Sequence, residues 1–595
     1  MKKLLSGNEA VARGAFEAGV KLAAAYPGTP STEILENVAE HYPSIYCEWS
    51  PNEKVAFEVG IGGSLGGGRS MVTMKHVGVN VAADPLMTFS YTGVNAGFVF
   101  ISADDPEMHS SQNEQDNRYF AKFAQIPFLE PSDSQESKDM VLLALEISEN
   151  FDTPVMLRMT TRVSHSKGLV VIKDPIKLGE QHLFDKNVKK YVMVPGHARA
   201  RHSYILQRTA KLAEYVEQSP LNRVESFGSK IGVITGGISY QYVKETLPET
   251  DVLKIGIGFP LPLGMIKKFV DSHEQVYIVE ELEPYYEETI KAAGMISVKG
   301  KEFFGREGEL SPYRVAKGFQ KAGVISEVKE AGYDPQQLFP RPPVLCPGCP
   351  HRGLFTVLKK LKLTVTGDIG CYTLGTLQPL ESLHTCICMG ASIGNAIGME
   401  KVNGSEKGIV AVLGDSTFLH SGITGILDAV YNKSNVTTII ADNRITAMTG
   451  GQEHPATGHT LMGQETKSVD FVQLCKALGV ESVRTIDALN YEETLKAVQE
   501  EIEKPGPSVL ITNRPCALMP KRVYDVPYEV DLELCNGCSA CFRIGCPAIL
   551  PSKELTKKHR PKAEIDATLC TGCTLCAQVC QPEAIVLKQQ PEGVK

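Results

Sequence analysis

Val410-Ala411-Val412-Leu413-Gly414-Asp415-Ser416-Thr417 decides how the middle of this chain folds. Four apolar residues running into a glycine and an acid read as a buried strand that turns sharply into a helix. A second strand, Thr437-Thr438-Ile439-Ile440-Ala441, ends in Asp442-Asn443. An Asp and an Asn at the ends of two neighbouring parallel strands can hold one hard cation through oxygen. Mg²⁺ prefers such a site, with phosphate oxygens completing its octahedron. The Gly414 turn would let the backbone approach a pyrophosphate at the next helix's N-terminus. The plainer alternative is a strand, a turn and a helix with Asp415 as its N-cap.

Toward the N-terminus the pattern repeats. Gly97-Phe98-Val99-Phe100-Ile101-Ser102 and Pro154-Val155-Met156-Leu157-Arg158 read as buried strands, with helical patterns between them up to about residue 190. That alternation predicts a parallel α/β sheet, whose functional residues sit at the strands' carboxyl ends. Two loops stand out. In Tyr26-Pro27-Gly28-Thr29-Pro30-Ser31-Thr32-Glu33, the hydroxyls of Thr29 and Ser31 could receive a carboxylate; spacing alone favours helix capping. In Glu48-Trp49-Ser50-Pro51-Asn52-Glu53, Ser50 and Glu53 match a capping box, with Pro51 first in the helix. The helix that follows holds Gly60, Gly62, Gly63, Gly66, Gly67 and Gly68. So many glycines weaken a helix, and they suit a place where another backbone or a flat cofactor comes close. A further α/β unit runs from near Met193 to near Gly332. Its Gly236-Gly237 turn lacks a full dinucleotide fingerprint, so it reads as a packing domain. Pro340 to Pro343 reads as a linker.

Toward the C-terminus one phrase occurs twice, Glu529-Val530-Asp531-Leu532-Glu533-Leu534-Cys535 and Glu564-Ile565-Asp566-Ala567-Thr568-Leu569-Cys570. Each copy opens a ladder, Cys535, Cys538, Cys541, Cys546 and Cys570, Cys573, Cys576, Cys580. A duplicated ladder is the pattern of a two-cluster ferredoxin, in which the fourth cysteine ligates the other cube. One 4Fe–4S cluster is then expected on Cys535, Cys538, Cys541 and Cys580, the other on Cys570, Cys573, Cys576 and Cys546. Zinc is the weaker alternative, because zinc sites pair two Cys-x-x-Cys units. The basic run from Lys553 to Lys562 between the ladders reads as a solvated loop.

The 595 residues suggest about four domains. A net charge of −8 gives no reason to expect nucleic acid. The first residues turn polar too soon for a signal peptide, and no apolar stretch is long enough to span a membrane. Sixteen cysteines without an export signal point to metal rather than disulfides. A cytoplasmic protein of an anaerobe is expected.

Gly414-Asp415-Ser416 through Asp442-Asn443 resembles the thiamine diphosphate motif, Gly-Asp-Gly followed by roughly thirty residues and Asn-Asn. Ser416 and Asp442 are departures from it. Thr449-Gly450-Gly451-Gln452, Tyr26-Pro27-Gly28-Thr29-Pro30-Ser31 and Cys346-Pro347-Gly348-Cys349 resemble the 2-oxoacid:ferredoxin oxidoreductase family, above all its large-subunit, indolepyruvate-oxidising branch. The resemblance covers nearly the whole chain. It implies three α/β domains with mainly parallel sheets and a C-terminal two-cluster ferredoxin-like domain. Their order is a pyrimidine-binding thiamine diphosphate domain (1–190), a packing domain (191–335), a pyrophosphate and Mg-binding domain (336–522) and the ferredoxin domain (523–595). Four residues between Cys541 and Cys546 are like this family; Cys580-Gln581-Pro582 departs from its Cys-Pro ending.

The resemblance also assigns roles. Asp415 and Asn443 would bind Mg²⁺ by side chain and Ile445 by its carbonyl, with Gly414 and Ser416 in the same cofactor turn. Glu53 would bond the aminopyrimidine ring and help deprotonate the thiazolium carbon, capping its helix as well. Thr29, Ser31, His76 and Arg118 are candidate substrate or CoA contacts, although a core His and a surface Arg are the plainer readings of the last two. Cys346, Cys349, Cys371 and Cys516 match the ligands of the cluster nearest thiamine in pyruvate-type relatives; the alternative is four structural thiols. Cys386 and Cys388 read as pocket wall, Cys47 and Cys475 as core. The implied activity is CoA-dependent oxidative decarboxylation of aryl pyruvates (indolepyruvate, phenylpyruvate, 4-hydroxyphenylpyruvate) to arylacetyl-CoA and CO₂, with electrons passed to ferredoxin. A smaller beta subunit is expected, in an α2β2 assembly. A different 2-oxoacid, a non-redox thiamine decarboxylase and an inactive electron-carrier subunit stand as rivals.

Overall fold

A computed structural model describes residues 1–177, 183–184, 186–329, 339, 341–403, 408–519 and 524–588. The chain divides into two compact units, 1–335 and 336–595.

In the first unit β1 (Lys2–Ser6) leads into six parallel strands: β2 (Leu22–Ala25), β3 (Tyr46–Trp49), β4 (Ser70–Lys75), β5 (Phe98–Asp104), β6 (Phe128–Leu129) and β7 (Val155–Thr160). They stand in the order β3-β2-β4-β5-β7-β6. β8 (Lys167–Val171) returns antiparallel to β1. Every residue of β4, β5 and β7 is buried. Strands buried on both faces need apolar side chains on both, which is why these runs show no alternation. Polar residues enter at their carboxyl ends, as Lys75, Asp104 and Thr160.

A second sheet follows: β9 (Arg223–Glu225), β10 (Ile231–Gly236), β11 (Asp251–Ile255) and β12 (Gln275–Val279), ordered β12-β10-β11-β9 with only β9 antiparallel. One buried cluster joins both sheets, with Phe100 and Phe128 from the first, Ile234 and Leu253 from the second, and the helical residues Phe57 and Tyr285. Full burial of a ring such as Phe128 contributes ~2–3 kcal/mol. Gly258 lies so close that a Cβ there would meet the Phe128 ring at 2.0 Å. The boundary expected at 190 falls inside a helical turn, Val188–Tyr191. The helix after it, Pro195–Gln218, packs back on the first sheet's layer, where Arg208 donates to the carbonyls of Ser90 and Asp152.

In the second unit β13 (Thr364–Gly367), β14 (Thr385–Cys386), β15 (Ile409–Gly414), β16 (Thr437–Asp442), β17 (Ser482–Asp487) and β18 (Ser508–Asn513) form a parallel sheet ordered β14-β13-β15-β16-β18-β17. β15 and β16 are neighbours, with Gly414 opposite Ala441. The last strands are β19 (Tyr528–Val530), β20 (Ile549–Leu555), β21 (Pro561–Ile565) and β22 (Ile585–Leu587). Each copy of the repeat is strand, ladder, strand. The copies exchange strands, since β19 pairs with β22 and β20 with β21, both antiparallel.

Two local expectations are corrected. The glycine-rich helix, Glu53–Leu65, is capped by Asn52, whose side chain accepts from Val55 N at 2.9 Å. Ser50 instead donates to Glu48, so it is unavailable as the cap. The run Lys553 to Lys562 is a loop only at residues 556–560, the turn of a hairpin whose strands β20 and β21 take in its two ends. Gly60 and Gly63 allow the strands to come close, since a Cβ would strike Val72 and Phe98 at one and Ser70 at the other, whereas a Cβ at Gly62 would meet nothing within 4 Å. The expected boundaries at 335 and 522, together with Gly332 and Pro340, lie outside the described residues.

Candidate active site

In the second unit the neighbouring strands β15 and β16 bring Asp415 and Asp442 side by side. Both are buried and hydrogen-bonded to one another. Burial works to raise the Asp415 pKa, but the hydrogen bond and charge of His454, 3.2 Å away, outweigh it and hold Asp415 below the usual carboxylate range. Burial and then the Asp415 charge push Asp442 up to about 7. Two buried carboxyls side by side disfavour each other's charged form, and a cation held between them would relieve that cost. Asn443 follows, with Oδ1 accepting from Ile445 N and Nδ2 3.4 Å from Nε2 of His351. Burial pushes His351 down to about 4, leaving a neutral imidazole. The Ser416 hydroxyl accepts from Thr446 at 3.1 Å. Gly414 lies against the Tyr372 ring, where a Cβ would come within 2.9 Å. This donor set fits Mg²⁺ through Asp415 and Asn443, because it is oxygen-rich and already arranged at paired strand ends.

A cavity of about 220 Å³ opens beside these residues. Asn443, Ile445 and His351 line it, and so do Cys346, Cys349, Cys371 and Cys516. The four thiols thus share one wall of the strand-end cavity. Burial pushes Cys349 up to about 12 and Cys371 up to about 11, with neighbouring thiols adding to the rise. Clustered thiols that resist ionising alone become thiolates when a metal supplies the compensating charge. Cys516 N donates to the Asn443 carbonyl at 3.0 Å, so thiol wall and strand end are tied by backbone. Cys386 and Cys388, expected in a pocket wall, do not line this cavity. Cys47 and Cys475 are buried.

The two ladders interleave. One cavity is lined by Cys535, Cys538, Cys541 and Cys580, the other by Cys546, Cys570, Cys573 and Cys576. The strand exchange accounts for this, because it sets the end of each ladder beside the start of the other. The second of these cavities is also lined by Pro347 and Gly348, which lie between Cys346 and Cys349. Arg352, buried, spans the same junction. It donates to Leu345 O at 2.5 Å and Cys346 O at 3.1 Å, and to Ile544 O at 2.9 Å beside the first ladder. The spacing of the cysteines alone does not reveal this contact; the buried arginine in Cys349-Pro350-His351-Arg352 was its only sequence trace. No disulfide forms among the described residues.

In the first unit the carboxyl ends of the strands gather another set. Glu53 is buried at the start of its helix, and its carboxyl fills the space a side chain at Gly78 would need, 2.8 Å from such a Cβ. Ser31 sits at a helix start without capping it; its hydroxyl donates to Gly28 O. Thr29 O accepts from Ser110. His76 is fully buried, with Nε2 3.2 Å from Asn113 O, and burial pushes it down to about 4. Lys75, which the sequence reading passed over, ends β4 beside Gly28 and donates to Ser110 O at 2.5 Å. Burial lowers it to about 8, against the pull of Asp105. The surface position expected for Arg118 is corrected. It is 1% exposed, and its nitrogens are engaged by Asp116, Glu280 and the carbonyls of Glu281 and Glu283. A guanidinium so fully partnered braces β12's end against the first sheet's layer.

Residues 13–230 match the family described as "Pyruvate flavodoxin/ferredoxin oxidoreductase, thiamine diP-bdg". Residues 368–512 match "Thiamine pyrophosphate enzyme, C-terminal TPP binding domain". The chain is 42% identical over 603 residues to "Indolepyruvate oxidoreductase subunit IorA" of Pyrococcus horikoshii, covering 93% of each. It is 40% identical over 584 residues to the protein of that name in Archaeoglobus fulgidus, covering 92% of this chain and 93% of the other. With "2-oxoglutarate synthase subunit KorA" of Archaeoglobus fulgidus it shares 24% identity over 338 residues, 51% of this chain and 94% of that one.

Proposed function

The chain belongs to the family of indolepyruvate oxidoreductase subunits IorA, and from that premise we propose that it oxidatively decarboxylates aryl pyruvates such as indolepyruvate, phenylpyruvate and 4-hydroxyphenylpyruvate. It is a thiamine diphosphate-dependent oxidoreductase. The acyl group goes to CoA, giving an arylacetyl-CoA and CO₂, and two electrons leave singly for ferredoxin. The observation that carries this reading is the cavity that Asn443 and Ile445 share with four thiols. A thiamine enzyme that merely decarboxylates needs no such wall beside its metal site.

Thiamine diphosphate supplies, when bound, the electron sink that lets a 2-oxoacid lose CO₂. The side chains of Asp415 and Asn443 and the Ile445 carbonyl would hold Mg²⁺, and the backbone at Gly414 and Ser416 would face the diphosphate. Glu53 would share a proton with the aminopyrimidine ring, a role worth ~10²–10⁴ in rate. The hydroxyls of Thr29 and Ser31, with the Lys75 ammonium close by, would receive the substrate carboxylate. Cys346, Cys349, Cys371 and Cys516 would hold a 4Fe–4S cluster nearest the metal site. The two C-terminal tetrads would hold two more. A smaller subunit completes the enzyme in a two-plus-two assembly. Sixteen cysteines in the sequence, none paired among the described residues, suit the reducing cytoplasm.

The test is anaerobic incubation of the chain and its partner subunit with indolepyruvate, CoA and oxidised ferredoxin. CoA-dependent ferredoxin reduction is expected. Release of the aldehyde without ferredoxin reduction would overturn the redox reading.

A further inference from the structure

The tetrad of Cys535, Cys538, Cys541 and Cys580 differs from the other two in one respect. Cys538 is exposed, whereas the remaining tetrad cysteines are buried or half-buried. It is therefore the place where an external protein could come nearest a metal centre.

The β20–β21 hairpin lies against this tetrad. Pro561 and Ala563 of β21 line the tetrad's cavity. Gly537, inside the Cys535–Cys538 loop, is so close to the hairpin's tip that a Cβ there would meet Thr556 at 3.0 Å and Arg560 at 3.2 Å. Lys562 Nζ donates to Leu532 O at 2.7 Å, fixing the hairpin to the segment that leads into Cys535. The tip is itself ordered by Thr556, whose N–H donates to Arg560 O and whose hydroxyl accepts from Arg560 N.

Residues 553–562 carry five cationic side chains and one acid, Glu554, a net of +4 in a chain whose net charge is −8. Lys553, Lys557, Lys558 and Arg560 are exposed. Only Lys562 is near the acid, 3.5 Å from Glu554. Asp531 and Glu533 flank Leu532 on the segment that Lys562 holds, and Asp531 is occupied there by the backbone N–H groups of Glu533 and Leu534.

A cube held by four thiolates is anionic in both oxidation states, and an acidic carrier protein built around one adds to that charge. Two such anions repel at close range unless cationic groups lie between them, and fixed surface charge steers the encounter. We propose that the β20–β21 hairpin, through Lys553, Lys557, Lys558 and Arg560, is the landing surface for an acidic, ferredoxin-type one-electron carrier that collects electrons at Cys535, Cys538, Cys541 and Cys580. This rests on the reading above that electrons leave the enzyme through these clusters.

The test reverses the four charges (K553E, K557E, K558E and R560E together) in the complete two-subunit enzyme. Two readouts are needed: turnover with an acidic ferredoxin and with methyl viologen, and direct binding of oxidised ferredoxin to substrate-free enzyme. The ferredoxin KM and dissociation constant should both rise by about 10-fold or more at low salt, and their increase with added salt should vanish or invert. Methyl viologen turnover and the subunit ratio should stay unchanged. Unaltered ferredoxin binding would overturn the proposal. So would an equal loss with both acceptors, or loss of the smaller subunit, which would make the hairpin a subunit contact. A milder pair, Lys557→Gln with Lys558→Gln, should show the same trend in smaller measure and guards against misfolding. The binding readout needs no turnover, so failure of the proposed reaction would be seen separately, as wild-type enzyme inactive with either acceptor.

Discussion

Gly348 is the residue on which the contact between the Cys346–Cys349 loop and the tetrad of Cys546, Cys570, Cys573 and Cys576 turns, and Gly348→Ala is the perturbation that exposes it. Gly348 has φ +68, and a Cβ there would lie 2.1 Å from Thr571 Oγ1. The left-handed backbone alone costs an L-residue ~1–2 kcal/mol. To reach ordinary contact at 3.4 Å the two segments must part by about 1.3 Å, which is 3.4 less 2.1, and such overpacking costs ~1–3 kcal/mol. The sum is ~2–5 kcal/mol, set against the join between the Cys346–Cys349 loop and the Cys570–Cys573 loop. Thr571 offers a control. Its buried hydroxyl has no hydrogen-bond partner among the described residues, so Thr571→Ala should cost little. The double variant should recover the overpacking share and leave the ~1–2 kcal/mol of backbone strain. The assay is anaerobic denaturant unfolding combined with electron paramagnetic resonance of the reduced enzyme, read for magnetic coupling between clusters. Gly348→Ala should weaken the coupling and Thr571→Ala should restore it. Equal coupling and stability in wild type and Gly348→Ala would refute the claim that these loops set the two centres side by side.

Glu53→Gln should keep thiamine diphosphate bound and lower turnover by ~10²–10⁴; near-normal turnover would reduce Glu53 to the first residue of its helix. Cys516→Ser should lower iron from ~12 to ~8 atoms per chain, since each cube carries four, and unchanged iron would remove that tetrad from the account. Glu281 tests the first unit's core. Burial raises it from an ordinary 4.5 to about 7, so its contribution is fully present below pH ~4.5 and is lost as pH rises through ~7. Glu281→Gln should therefore leave thermal stability unchanged near pH 4.5 and raise it at pH 8 by up to ~3 kcal/mol, and a gain independent of pH would contradict this.

Much of the second unit was legible because its signals are local. Val410 to Thr417 and Thr437 to Asn443 each carry a strand and its functional end in one short run, and neighbouring parallel strands then bring the ends together. The ladders were legible for a related reason, since a duplicated phrase folds as a duplicated unit. What was not legible depends on competition or on distance. Ser50 and Asn52 are both good caps, and the choice fell to Asn52 because Glu48 engages Ser50. Arg118 reads as a surface charge until Glu280, far along the chain, is brought to it. Lys75 closes a strand whose apolar run gives no warning of a buried ammonium. The basic run between the ladders reads as solvent-facing, which it is. Its place beside Cys538 comes only from the register of β20 with β21.

A single-turnover experiment shows where the substrate's electrons go. The complete enzyme, loaded with thiamine diphosphate and Mg²⁺, is mixed anaerobically with indolepyruvate and CoA in the absence of any carrier, and its cluster signals are followed. Substrate alone should reduce the thiolate-held clusters, and added ferredoxin should reoxidise them. Decarboxylation with the clusters still oxidised would contradict this.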